Sequence, residues 1–259
     1  MDVDVAAFTW YTAPKALASP ETVFDALFAH LREATPRRYG PGDPPIEPVT
    51  DGLTDFIEYW RTKTAGGIAS WVGRSPFLGG AAMFPAPGRA RAAGGVAVAE
   101  LSIALDATAI RRDPELAVRL CTEVADVLPA IYGCVYVLRG WAMSRGILLF
   151  NPQTSEDSLL PKGAPWIGIP PGSPWLAWFG PDYVPYVGPR AMDEGLGTGV
   201  GLLWRSHPAP ATMDVAVANQ PALPDELIAT RPDPRFWGVP PSVPAVVIPA
   251  SLIDPPQVR

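Results

Sequence analysis

The alternation of apolar and polar residues is clearest over residues 96–106, where Leu101, Ile103 and Leu105 all face one side. This period of two predicts a half-buried β-strand. A run rich in aromatic and β-branched residues predicts another strand over residues 3–12. Shorter runs of the same kind predict strands over residues 68–72, 78–84, 135–138, 147–150, 174–180, 199–204 and 243–248.

Apolar residues recur at helical spacing in three other stretches. The first helix is predicted over residues 19–32, because Ser19 suits the N-cap and Pro20 the first helical position. The remaining helices are predicted over residues 51–63 and between Asp113 and Pro129, with single helical turns over residues 181–184 and 224–228.

This order of elements predicts an α+β fold, with an antiparallel or mixed sheet and helices packed on one face. We expect a single domain over residues 1–259. A division into a regular core (residues 1–150) and an aromatic, proline-rich half (residues 151–259) is left open, as is a pseudo-duplicated arrangement. The 33 prolines are dense over residues 221–256, which predicts loops and sheet edges in the C-terminal region.

The charge balance narrows the classes of partner. The formal net charge is −6, whereas nucleic-acid binding depends on neutralising phosphates with Lys and Arg. We therefore expect no nucleic-acid ligand and a preference for basic partners, although the same charge also serves solubility alone. Neither a signal peptide nor a membrane-spanning run is recognisable, so we expect a cytoplasmic protein with no membrane partner.

The sequence is poor in groups that carry chemistry: it has two histidines, two cysteines and no recognisable metal or phosphate motif. We therefore expect no catalytic residue, metal or cofactor, and predict that the chain is not an enzyme. Cys121 and Cys134 are interpreted as buried apolar residues. The alternative is a hydrolase or other enzyme that uses a carboxylate or His207 in a tryptophan-walled pocket. His30 is the other histidine that could act as a base.

Two charged stretches are candidates for partner binding. Asp51, Asp55 and Glu58 follow one face of the second predicted helix, which is either simply solvated or docks a basic partner, with catalysis a third interpretation. Arg37 and Arg38 either grip an anion or complete the end of the first helix.

Aromatic residues are the other candidates for partner binding, and they are frequent in the C-terminal half. We expect most of them to fill the core, with one or two exposed at a binding surface. The set comprises Trp166, Trp175, Trp178, Tyr183, Tyr186, Trp204 and Trp237.

Three stretches carry a resemblance: Arg37-Arg38-Tyr39-Gly40, the amphipathic helix that leads into Tyr132-Gly133-Cys134, and residues 175–183. Together they resemble bacterial immunity proteins of the polymorphic-toxin and type VI secretion type, over most of residues 1–215. The resemblance implies a protein that neutralises one cognate toxin by binding it, and a basic nuclease would suit the charge. The candidate partner-binding residues are Asp51, Asp55, Glu58, Arg37, Arg38, Tyr39, Trp166, Asp182 and Tyr183.

Overall fold

The alternating segments of the chain assemble into one antiparallel β-sheet. The computed structural model describes residues 2–42, 44–86, 96–144, 147–156, 166, 168–188, 192, 195–197, 200–228 and 249–250. The strands in this part are β1 (Asp2–Thr12), β2 (Arg38–Gly40), β3 (Glu47–Pro48), β4 (Gly67–Val72), β5 (Phe77–Phe84), β6 (Ala99–Asp106), β7 (Tyr132–Ser144), β8 (Ile147–Leu149), β9 (Leu176–Phe179), β10 (Leu196–Gly197) and β11 (Leu202–Arg205).

The strand order is β10-β11-β9-β7-β1-β6-β5-β4-β2-β3, and β8 pairs with β7. All of these neighbours are antiparallel. Of the two sheet types left open by the sequence, the antiparallel one is therefore observed, and the α+β prediction is confirmed.

Helices connect the strands on one side of the sheet. They are α1 (Pro20–His30), α2 (Thr54–Lys63), α3 (Ala107–Arg112) and α4 (Pro114–Val127), whereas the short helix α5 (Met213–Ala216) packs through Met213 on the other side. Asp113 caps α4 as predicted, since its carboxylate accepts a hydrogen bond from the Leu116 amide. Ser19 holds the N-cap position of α1 but makes no capping bond. No helix in the described ranges has the length and apolar character that a bilayer span requires.

The sheet has an approximate symmetry that the connectivity does not share. β1 and β6 lie side by side at its centre, with four further strands of the order on each side, and each of the two is followed by helix. On the β6 side, however, the chain forms the outer strands β2 and β3 first and then β4 and β5, which lie closer to the centre. On the β1 side it forms the inner strand β7 first and then β9, β10 and β11, which lie farther out. The arrangement therefore looks duplicated, but its two halves are threaded in opposite order.

The main core lies between the sheet and the helices α1, α2 and α4. Phe24 and Leu27 of α1 meet Phe56 and Trp60 of α2 over the sheet, and all four side chains are buried. Leu120 and Val124 are among the residues that α4 adds, and they are fully buried too. The predicted helical stripes thus pack on one face of the sheet, as amphipathic helices do.

Tryptophan indoles attach the covering elements to this sheet. On the helical side, Trp10 Nε1 donates to the Cys121 carbonyl oxygen of α4 at 3.0 Å, and Trp71 Nε1 donates to the Ala34 carbonyl oxygen at 3.0 Å. Both rings are buried. Each such bond satisfies two polar groups that would otherwise be buried at a cost of about 1–3 kcal/mol.

The opposite face of the sheet is covered over only part of its width. Residues 168–188 and 211–228 contribute to a second core there, around Tyr132, Trp166 and Phe179. Across β1, β6, β5 and β4 several of the side chains that point to this face are small and partly exposed. They include Ala7, Ser102, Ala81 and Ser70.

Several boundaries differ from those expected. β6 begins at Ala99, and β7 runs on to Ser144, well beyond the predicted residues 135–138. The short elements β2, β3 and α3 had no separate prediction. The last predicted strand, residues 243–248, lies outside the described residues, as do Trp237 and most of the proline-rich region.

Gly80 provides a direct test of the packing under Trp71. A Cβ atom at Gly80 would lie 2.4 Å from two ring atoms of Trp71. The Trp71 ring is buried and held by its bond to Ala34, so it cannot move aside freely. We expect Gly80→Ala to lower the free energy of unfolding in urea by about 1–3 kcal/mol. Gly197→Ala is the matched control, because nothing lies within 4 Å of its added Cβ; equal effects of the two substitutions would contradict this account.

Candidate functional site

The strand edge beside α2 brings two of the predicted stretches together. The Tyr39 ring packs 5.0 Å from the Tyr59 ring and 5.7 Å from the Phe56 ring, measured between centroids. Tyr39 therefore joins β2 to α2, and its neighbours in space come from both elements. The sequence could not show this proximity, because residues 37–39 and 51–58 lie on separate elements.

Carboxylates surround the Tyr39 hydroxyl. Loss of hydration is the main cause that raises the pKa of Tyr39. The negative charges of Asp55, Glu47 and Glu58 raise this pKa further, in that order. We call this surface, formed by Tyr39, Glu47, Asp51, Asp55 and Glu58, the acidic edge.

Asp55 has a structural role within the acidic edge. One oxygen of its carboxylate accepts hydrogen bonds from the Thr50 amide (3.0 Å), the Thr50 hydroxyl (2.5 Å) and the Asp51 amide (3.2 Å). The Thr50 hydroxyl is the main cause of the lowered pKa of Asp55.

The prediction of a helix from residue 51 was wrong, because α2 begins at Thr54 and Asp51 lies in the turn before it. Glu47, Asp51 and Glu58 are exposed, so a partner can reach these three carboxylates.

Arg37 and Arg38 do not complete the end of α1, which was one of the two interpretations. That helix ends at His30, and Arg37 is held in the sheet, where its amide donates to the Val72 carbonyl oxygen at 2.8 Å. Arg38 pairs with Val72 on one side and Pro48 on the other. Side chains alternate along a strand, so Arg38 points to the face opposite to Tyr39.

The aromatic candidates of the C-terminal half are core residues. Trp166 and Tyr183 are each 1% exposed, and the Trp166 Nε1 donates to the Tyr183 hydroxyl oxygen at 2.6 Å. Their prediction as partner-binding residues was wrong for this conformation, because a partner cannot reach them. Asp182 is partly exposed beside β9, on the other half of the sheet from the acidic edge. Tyr186 is the exposed aromatic residue of this segment, at 41%.

The two histidines lie in different surroundings. His30 Nε2 lies 2.7 Å from the Glu123 carboxylate, which links α1 to α4. The hydrogen bonds of the His207 ring in the described structure stay within its own turn, to the Ala209 backbone. Within the described residues, no three His, Cys, Asp or Glu side chains are grouped so that they could hold a metal ion.

A buried carboxylate on the central strand was missed by sequence reasoning. Glu100 is 3% exposed, and its Oε1 accepts a hydrogen bond from the Ser102 hydroxyl at 2.6 Å. The Ser102 hydroxyl in turn lies 3.2 Å from that of Thr9 on β1. These bonds offset part of the cost of burying a carboxylate. The available signal was that Val98, two residues earlier and just before β6, is apolar and packs in the second core.

Comparisons with known proteins give a likeness of fold. No protein-family model matches the chain, and no curated protein matches it. Among solved structures, a type VI secretion system protein of Pseudomonas aeruginosa is similar, with a TM-score of 0.52 and 12% sequence identity. The match covers 83% of this chain and 71% of that one. At this identity the likeness concerns the fold alone.

Four buried tyrosines are expected to lower the stability of the fold at alkaline pH. They are Tyr11, Tyr132, Tyr136 and Tyr183. Burial is the main cause that raises the pKa of each hydroxyl. The folded protein therefore keeps protons that the unfolded chain loses above its pKa of about 10. The contribution of these tyrosines to stability is complete below pH ~10. Above that pH, the free energy of unfolding falls by up to about 5 kcal/mol per pH unit for the four tyrosines together. Urea unfolding at successive pH values measures this slope.

Tyr136→Phe is the control for the alkaline slope. The Tyr136 hydroxyl is buried and has no hydrogen-bond partner in the described structure, so its removal is expected to leave the stability at neutral pH unchanged or slightly higher. The alkaline slope should become shallower by about 1.4 kcal/mol per pH unit. Ionisation of all seven tyrosines near pH ~10 in the folded protein, seen by the absorbance of tyrosinate, would contradict the account.

Proposed function

We propose that this chain is an immunity-type protein that binds a cognate bacterial toxin and neutralises it through protein–protein contact, with the acidic edge as its docking surface. The observation that carries the proposal is the acidic edge itself, where exposed carboxylates surround a tyrosine at the rim of the sheet. The similarity of fold to a type VI secretion system protein supports an association with such a secretion system.

The composition of the acidic edge suits a protein interface. Tyrosine supplies a large amphipathic contact surface, and carboxylates around it favour a basic partner. Ile46, next to Glu47, is 73% exposed and adds apolar surface beside the charges. The net charge of −6 would steer a basic toxin toward this protein over long range.

The edge strand β3 suits contact with the side chains of a partner better than pairing with an additional strand. β3 contains only Glu47 and Pro48, and Pro44 and Pro45 precede it in the loop. Proline lacks the amide that a new strand would need, and so short a strand offers little backbone. We therefore infer that the partner contacts Tyr39 and the exposed carboxylates directly.

The functional test is protection from a toxin. Any toxin-like domain found encoded beside this chain is expressed in a bacterial host with and without the chain, and growth is measured. We expect the full chain to restore growth and to form a stable complex with the purified toxin domain. Failure to protect and to bind would overturn the proposed function.

The docking surface is tested by charge reversal that leaves Asp55 and its hydrogen bonds to the turn before α2 unchanged. Asp51→Lys with Glu58→Lys is expected to slow association with the toxin domain about tenfold at low salt, because steering is lost, with a smaller difference at high salt. Asp225→Lys with Glu226→Lys is the matched control, since both residues are exposed and far along the chain from the acidic edge. If the two double variants associate equally fast, the toxin docks elsewhere.

A further inference from the structure

A cleft of about 630 Å³ lies on the partly exposed face of the sheet, on the opposite side of β2 from the Tyr39 ring. It is lined by residues of neighbouring strands and of the turns between them. Six adjacent strands line it with Arg38 on β2, Val72 on β4, Leu78 on β5, Asp106 on β6, Val3 on β1 and Met143 on β7, and Pro48 on β3 and Phe77 on β5 line it as well.

The shape of the cleft suits an extended chain. From Arg38 on β2 to Met143 on β7 it crosses six adjacent strands, which at a spacing of about 4.8 Å corresponds to a length of about 24 Å. An extended peptide rises about 3.3 Å per residue, so about seven residues span this length.

One end of the cleft is positively charged. Arg37 and Arg38 are exposed there, and neither makes an ion pair in the described part of the chain. Five other arginines do pair with carboxylates: Arg61, Arg111, Arg119, Arg139 and Arg205. Two guanidinium groups at one site favour a carboxylate, which they can hold by charge-assisted hydrogen bonds.

The carboxylate that lines the cleft does not neutralise the arginines. Asp106 is the N-cap of α3, and one of its oxygens accepts hydrogen bonds from the Thr108 amide (2.9 Å) and the Thr108 hydroxyl (2.7 Å). The other end is apolar, where Val3 and Met143 are partly exposed. The cleft therefore combines a cationic end with an apolar end.

We propose that this cleft binds an extended acidic segment of about seven residues from a partner protein. A carboxylate of the segment pairs with Arg37 and Arg38. Alternate side chains of an extended peptide point the same way, so every second residue meets the floor, and apolar ones contact Val3 and Met143. The site goes beyond the proposed toxin-binding role, because it lies on the other face of β2 and takes the opposite charge.

The experiment is selection of random seven-residue peptides, displayed on phage, against the full chain. We expect the enriched peptides to carry Asp or Glu near one end and apolar residues at alternate positions. A fluorescein-labelled peptide from this set should bind Arg37→Glu/Arg38→Glu at least about tenfold more weakly. Val3→Ser should also weaken its binding without altering the arginines. Replacing the acidic residue of the peptide by its amide should remove the difference between the wild type and the arginine variant.

The matched control is Arg32→Glu/Arg112→Glu, which changes the net charge equally at exposed arginines that do not line the cleft. Binding to this control should stay within about twofold of the wild type, and thermal unfolding checks that each variant is folded. The proposal would be overturned if the enriched peptides lacked acidic residues, or if the wild type enriched no peptides beyond those that Arg37→Glu/Arg38→Glu enriches. Equal losses of peptide affinity in both double variants would overturn it as well. Displacement of the peptide by an equal concentration of inorganic phosphate would overturn it too, since the cleft would then be a simple anion site.

Discussion

The bond from a tryptophan indole to a backbone carbonyl is the interaction on which this architecture depends. Trp10 and Trp71 hold α4 and the turn before β2, and Trp60 holds the turn at Leu17. On the later strands Trp204 does the same for the Asn219 carbonyl oxygen. An indole adds a large buried apolar area to a directed hydrogen bond. Loops and short turns can therefore lie on the sheet in fixed positions, although they have little regular structure of their own.

Both candidate binding surfaces follow from the alternation of side chains along β2. Tyr39 points toward α2 and is surrounded by carboxylates, whereas Arg38 points to the other face and lines the cleft. Two adjacent residues of a three-residue strand thus belong to surfaces of opposite charge. A partner with both a basic surface and an acidic segment could engage the two together, and two separate partners could bind without competing for the same face.

The sequence predicted the type of most elements and few of the contacts between them. Local signals placed α1 at Pro20 and α4 behind Asp113, because capping and proline preferences act over one helical turn. The same local signals failed for Asp55, which was interpreted as part of a charged helix face. Its carboxylate instead holds the turn before α2, where it accepts hydrogen bonds from the amide and the hydroxyl of Thr50. Trp166 was expected at a binding surface, but other elements cover it.

The amino-acid sequence by itself determined most of the longer strands, the main helices, the α+β class and the negative net charge, since periodicity, capping and charge are properties of neighbouring residues. Only the tertiary structure decided the strand order, the burial of Glu100 and the meeting of Tyr39 with Glu58. Residues far apart in the chain become neighbours through strand pairing and packing. Whether a given side chain is covered depends on elements that its own sequence neighbourhood does not contain.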